Sequence, residues 1–212
     1  EWLPDHLATL WPQRGDHVLV AGAAVRTGGG EPLRYIGPLV LEPTVLASPA
    51  DLYPENFLPA SAVLARRDAV VAAGGYDTTL RYAEDLDLWI RLMDQGTAVA
   101  CPFVVTRYRR HDGQKSQHAD RSRPVQLRIV DTYRDRPWWS PALVERQLGF
   151  RAWDALRAAL REGDHAAALR EGRELLWPPQ RTVAVGRMLR HRRAVRRYSA
   201  RLAKVSGLEA RS

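Results

Sequence analysis

The segment that decides how this chain folds is Gly74-Gly75-Tyr76-Asp77, followed by Leu80 and by Glu84-Asp85-Leu86-Asp87-Leu88-Trp89-Ile90-Arg91-Leu92. The pattern predicts a tight glycine turn, a short loop and the first turns of a helix. Leu86, Ile90 and Met93 recur at helical spacing, so one side of that helix is expected to be buried. Three carboxylates, those of Glu84, Asp85 and Asp87, crowd its first turn.

The residues alone leave the purpose of these acids open. Carboxylates near a helix N-terminus are stabilised by the helix dipole, typically by about 0.3–1 kcal/mol each. Asp87 and Arg91 are four residues apart and are spaced for an ion pair. A carboxylate fixed at a helix start can also serve as a general base. The dipole lowers the pKa of such a group while acidic neighbours raise it, so the sequence does not give the sign of the net shift.

The rest of residues 1–118 predicts alternating strands and short helices around this segment. Leu3, Leu7 and Leu10 indicate an opening amphipathic helix. Further on, we predict a strand over 16–26, a glycine-rich hairpin loop over 27–32, an edge strand over 33–41 containing Pro38, a strand over 57–65, a helix over 67–73 capped by Gly74, and a strand over 98–108.

From Pro124 onward the pattern becomes helical. Helices are predicted at about 124–136, 140–162, 164–177 and 182–205, with breaks at Pro137, Gly163-Asp164 and Pro178-Pro179. Asp164 is a suitable N-cap for the third of these helices. We therefore predict two domains, an α/β part over 1–123 and a helical C-terminal region over 124–212.

Composition excludes several classes of protein. No apolar run approaches the ~20 residues that a membrane span needs, and the single cysteine, Cys101, rules out an internal disulfide. The formal net charge of +8 is uneven, because residues 181–212 hold nine arginines, one lysine and one glutamate. The body of the chain is therefore near neutral, whereas its C-terminal segment is strongly basic.

Taken together, the motifs resemble the central signature of family 2 glycosyltransferases of the GT-A fold group, in which G-G-F-D is followed by E-D-x-D-L-W-x-R. Asn56-Phe57 and Ser61 to Arg67 fit the strand before this signature, and Tyr108-Arg109-Arg110-His111 with Ser116 is similar to its Y-R-x-H…S segment. The opening Trp2-Leu3-Pro4-Asp5-His6-Leu7 is similar to the helix that follows the D-x-D metal motif. The resemblance covers about residues 1–118, and implies that the chain starts just past that motif and lacks most of the nucleotide-binding half.

The resemblance implies an inverting transfer of a sugar from a nucleotide-sugar donor to a hydroxyl on a glycan or a lipid-linked acceptor. Asp85 would be the base, and Glu84 would orient it or bind an acceptor hydroxyl. Asp77, Asp87 and the Gly74-Gly75 backbone would bind substrate. Arg109, Arg110 and Ser116 would contact phosphate, and His111 would contact the diphosphate or a divalent metal, Mg²⁺ or Mn²⁺. Trp89 could stack on a sugar, although a core position is commoner so far into a helix.

The basic C-terminal segment has two interpretations. Its arginines flank an apolar stripe, as in a helix that lies on an anionic membrane; the stripe consists of Val185, Met188, Val195, Tyr198, Leu202 and Val205. The same pattern fits a helix packed on its neighbours. No nucleic-acid module accompanies the charge. The expected location is cytoplasmic, with contact at the inner face of the membrane left open. Two other functions remain as alternatives: a non-catalytic carbohydrate- or partner-binding remnant, and a basic membrane or nucleic-acid adaptor acting through 181–212.

Overall fold

Two long parallel strands, β1 (Leu19–Thr27) and β5 (Ala98–Arg109), form the centre of the sheet. The computed structural model describes residues 1–28, 33–52, 56–109 and 119–206. β1 carries no charge before Arg26 and its first seven residues are buried, which fits a central strand covered on both faces. Three short strands complete the sheet: β2 (Arg34–Ile36), β3 (Thr44–Leu46) and β4 (Val63–Ala65).

The sheet has the order β2-β1-β5-β3, and all three short strands run antiparallel to their neighbours. β2 pairs with residues 24–26 of β1 and β4 pairs with residues 19–21, so the two share one edge of β1. β3 pairs with residues 98–100 at the outer edge of β5. The predicted hairpin after β1 is confirmed by the β1–β2 pairing, while most of its loop lies outside the described residues.

The described helices confirm the predicted change of character along the chain. The first part contains three short helices: α1 (His6–Leu10), α2 (Arg67–Ala72) and α3 (Glu84–Met93). Four longer helices follow: α4 (Ala119–Thr132), α5 (Pro141–Glu162), α6 (His165–Leu176) and α7 (Pro179–Ser206). The Asp164 carboxylate accepts a hydrogen bond of 2.9 Å from the Ala167 N–H, which confirms the predicted N-cap of α6. The chain is thus mixed α/β with a mixed sheet and a helical C-terminal region.

Several predicted boundaries were wrong. The strand expected over 33–41 ends at Ile36, because Gly37 adopts a φ of +147° against Ala23 and the next residue is a proline without an N–H. The strand expected over 57–65 keeps only its last three residues, after a 3₁₀ turn over Ala60–Ala62. β3 lies between the strands predicted over 33–41 and 57–65, in a segment for which no strand was predicted. In addition, α4 begins before Pro124 and runs through it.

The main apolar core lies between one face of the sheet and the helices. Ala21 and Ala100 from the strands pack with Leu86 and Ile90 from α3, and with Ile129 of α4 on the far side of the predicted domain boundary. A smaller cluster on the opposite face contains Leu10, Val20, Val99, Cys101 and Val105. Burial there raises the pKa of the Cys101 thiol to about 11, so this side chain behaves as a small apolar residue at neutral pH.

The apolar stripe of α7 packs inward. Val185 and Met188 join a buried cluster with α5 and α6, and Val195 packs with Tyr35 of β2. The Tyr35 N–H donates a 2.9 Å hydrogen bond to Ser199 Oγ, which ties α7 to the sheet edge. Of the two interpretations of this segment, the packed helix agrees with the structure, since the stripe is covered as far as Leu202 and the exposed face is rich in arginine. Among the described residues, no helix is long and apolar enough to cross a membrane.

Candidate active site

The Gly74-Gly75 turn ends α2 and begins the candidate site. Gly74 has a φ of +78° and Gly75 a φ of +69°, a conformation that glycine adopts at little cost. The Gly74 N–H donates to the Val71 carbonyl and the Gly75 N–H to the Val70 carbonyl, each at 3.0 Å. The predicted C-cap at Gly74 is therefore confirmed. A Cβ built on either glycine would meet nothing within 4 Å, so the turn borders open space.

Asp77 lies in the exposed loop that follows the turn. Its Oδ1 accepts hydrogen bonds from the Thr79 N–H at 2.8 Å and from Thr79 Oγ1 at 2.7 Å. These bonds to Thr79 hold the pKa of Asp77 below its ordinary value, so the side chain is ionised at neutral pH. The carboxylate thus fixes the shape of its own loop and remains open to solvent, where a ligand could reach it.

Ala83 sets the direction in which α3 begins. It is the only described non-glycine residue with a positive φ, at +56°, and it occupies the N-cap position without a side-chain cap. A left-handed conformation costs a residue with a Cβ roughly 1–2 kcal/mol. This backbone strain lies directly before the acidic pair Glu84-Asp85, at the point where the chain turns from the loop into the helix.

Asp85 is a partly buried carboxyl group in the first turn of α3. Its Oδ1 accepts a hydrogen bond of 2.8 Å from the Leu86 N–H, and its side chain is also hydrogen-bonded to Asn56. Burial raises the pKa of Asp85 above its ordinary value; the Leu86 N–H opposes the rise, and the charge of Glu84 adds to it. The structure therefore gives the direction of the pKa shift of Asp85, which the sequence left open.

Asn56 is a site residue to which the sequence assigned no role in the chemistry. Its Oδ1 accepts a 3.2 Å hydrogen bond from the Leu58 N–H, which leaves its amide NH₂ group to donate to Asp85. Tyr76 also lies near the acids, because burial first and then the charges of Asp85 and Glu84 raise the pKa of its hydroxyl. The only sequence signal for Asn56 was its place in the family-like segment before the strand.

Asp87 is buried and makes internal contacts, whereas the resemblance gave it a substrate-binding role. The residue is 8% exposed, and its Oδ2 accepts hydrogen bonds from Arg91 Nε at 2.9 Å and Nη2 at 2.7 Å. Its Oδ1 accepts a further bond of 2.8 Å from the Tyr133 hydroxyl of α4. Arg91 Nη1 donates in turn to the Ala73 and Gly75 carbonyls at 2.5 and 2.8 Å. The predicted pair of Asp87 and Arg91 is confirmed, and it holds the glycine turn onto α3.

Trp89 is likewise unavailable for stacking on a sugar. It is 3% exposed and belongs to the main apolar core, so the alternative core assignment is the one that the structure supports. Its indole N–H is buried and finds no hydrogen-bond partner among the described residues. The substrate-stacking role is therefore corrected to a packing role.

The predicted phosphate- and metal-binding residues are only partly described. Arg109 ends β5 as an exposed residue, paired in register with Thr27 of β1. Arg110, His111 and Ser116 lie outside the described residues. Within the described part of the chain, no group of three or more histidine, cysteine, aspartate or glutamate side chains could hold a metal ion. These residues do not form a metal site by themselves, so binding of Mg²⁺ or Mn²⁺ stays a prediction that depends on His111.

Comparison of the chain with models of known protein families, with curated proteins and with solved structures finds no match.

Proposed function

We propose that this chain is the C-terminal part of a GT-A-type catalytic domain in an inverting glycosyltransferase. The reaction would move a sugar from a nucleotide-sugar donor to a hydroxyl acceptor in cell-envelope, polysaccharide or glycoconjugate synthesis. One observation supports this most directly: the acid that the family 2 resemblance assigns as the base, Asp85, is partly buried at a helix start and has a raised pKa. A base titrating closer to neutral pH removes a proton from a hydroxyl more effectively than an ordinary aspartate.

The surroundings of Asp85 suit this role. A carboxylate offers about four lone-pair positions, and donors from Leu86 and Asn56 leave others for an acceptor hydroxyl. These two donors hold the group in one orientation, as a base must be held when it takes a proton in a single displacement step. Burial raises the pKa of Asp85, and the charge of Glu84 adds to that rise.

The glycine turn is the proposed wall of the donor-sugar pocket. Open space beside Gly74 and Gly75 would let a sugar approach the backbone closely, and Asp77 offers an ionised carboxylate for its hydroxyls. Arg91 holds the turn in place through the Gly75 carbonyl. Inversion follows from direct displacement, in which one base on the acceptor side is sufficient.

The test uses the complete natural protein and a panel of nucleotide sugars with hydroxyl acceptors. Asp85→Asn should reduce turnover by at least ~10²-fold while donor affinity changes little, as expected for loss of a general base. Asp131→Asn is the matched control, because Asp131 is an exposed carboxylate paired with Arg134 on α4. Near-normal turnover of Asp85→Asn would exclude Asp85 as the base. Donor binding without turnover in the unmodified protein would favour the carbohydrate-binding alternative.

The dependence on pH offers a second readout. Because the pKa of Asp85 is raised, the acid limb of kcat/KM should lie above the ordinary aspartate range, and it should disappear in Asp85→Asn. The metal prediction is tested by His111→Ala, which should weaken nucleoside diphosphate binding in Mg²⁺ or Mn²⁺. Calorimetry showing unchanged affinity would remove that role from His111.

A further inference from the structure

A pocket that the acids of α3 do not line lies between the sheet and the C-terminal helices. It has a volume of about 660 Å³, within the ~300–1,000 Å³ range of small-molecule sites. Leu46, Phe57 and Ala100 form part of its wall on the sheet side, and Phe150, Ala184 and Met188 form part of its wall on α5 and α7. Neither Glu84 nor Asp85 lines it. A site with such walls favours an apolar ligand over a sugar.

Two arginines, one on α5 and one on α7, lie among the apolar residues of these walls. On α5, Arg146 lies one turn from Phe150, and on α7, Arg187 lies one turn from His191. Each arginine therefore projects from the same helix face as its apolar or aromatic neighbour, and both line the pocket.

Neither of these guanidinium groups has an acidic partner among the described residues. The contrast with Arg181 on α7 is informative, because Arg181 binds Glu145 and Glu174, each at 2.7 Å. Glu145, the sequence neighbour of Arg146, is thus already engaged by Arg181. Two cations beside an apolar pocket are electrostatically complementary to an anion whose remaining surface is apolar.

We infer that this pocket binds an amphipathic anion, a single apolar chain bearing a phosphate or carboxylate head. The chain would fill the space between Phe57 and Phe150, and the head would take bonds from Arg146 and Arg187. The inference does not depend on the proposed glycosyl transfer. The two sites are connected through neighbours in sequence, since Phe57 lines the pocket and Asn56 is hydrogen-bonded to Asp85.

Decyl phosphate below its micellar concentration is the probe, and calorimetry on the intact protein is the measurement. We expect saturable binding with one site per chain, a raised melting temperature, and much weaker binding of inorganic phosphate and of decyltrimethylammonium. Arg146→Gln and Arg187→Gln should each weaken decyl phosphate binding about tenfold or more, as expected for the loss of a charge-assisted hydrogen bond. Arg193→Gln, at an exposed position of α7 outside the pocket, is the matched control and should leave the affinity unchanged.

A further variant tests the pocket itself. Val183 lines the pocket and is 54% exposed, so Val183→Trp should obstruct the pocket without disturbing the core, and should abolish binding while the melting temperature of the unliganded protein is kept. Equal affinity for the phosphate and ammonium probes, or no binding of decyl phosphate, would overturn the inference. Binding to anionic vesicles without binding of the monomeric probe would also overturn it, because that result assigns the charge to a surface contact.

Discussion

Asp87→Ala should destabilise this protein far more than the same substitution at an exposed aspartate. The Asp87 and Arg91 side chains are 11% and 22% exposed, and the carboxylate accepts three hydrogen bonds from Arg91 and Tyr133. Asp87→Ala leaves a largely buried guanidinium without its counter-ion and a tyrosine hydroxyl without its acceptor. Breaking a buried pair from one side typically costs about 3–5 kcal/mol. Most domains have only about 5–15 kcal/mol of stability in total.

The assay is thermal and urea unfolding of the intact chain, followed by circular dichroism. For a domain of this size 1 kcal/mol corresponds to about 2–4 °C, so we expect a decrease of roughly 6–20 °C in Tm. Asp131→Ala is the control, since the exposed pair of Asp131 and Arg134 should contribute no more than about 1 kcal/mol. A loss below about 1 kcal/mol for Asp87→Ala would refute the structural role and return Asp87 to the list of candidate substrate ligands.

Three other predictions concern stability and charge. At pH values above 7, Asp85→Asn should raise the melting temperature, because a raised pKa means that ionised Asp85 destabilises the folded state. This gain in melting temperature should vanish as the pH falls below the ordinary aspartate pKa. A gain that is the same across this pH range would contradict the raised pKa. Gly149→Ala should destabilise by about 1–3 kcal/mol, because its Cβ would lie 2.9 Å from the Arg181 backbone, whereas Gly172→Ala in open space should stabilise by up to about 1 kcal/mol; equal effects in urea unfolding would argue against the close helix contact. Because the apolar stripe is covered, residues 181–212 should bind anionic vesicles through arginine alone, so that the protein sediments with the vesicles at low salt and not at high salt. Binding that persists at high salt would show that the apolar stripe is released.

The sequence predicted the elements whose signals are local. Gly74 ends α2, Asp164 begins α6, and Arg91 pairs with Asp87, because capping and the four-residue spacing act within one or two turns of a helix. The burial of Leu86 and Ile90 followed from helical periodicity in the same way. These features concern residues that are neighbours in sequence, so no knowledge of the remainder of the fold was needed.

Contacts between distant segments were decided only by the tertiary structure. β3 is a strand because it pairs with β5, more than fifty residues later in the chain. Its three residues are too few to show the alternation that predicts a strand. Asn56 meets Asp85, and Tyr133 meets Asp87, only when the helices pack on one face of the sheet. The sequence placed the acids at the start of a helix. Burial then raised the pKa of Asp85 and gave Asp87 and Trp89 internal contacts. Neither effect could be predicted from the sequence, because desolvation depends on which surfaces are covered when the chain packs.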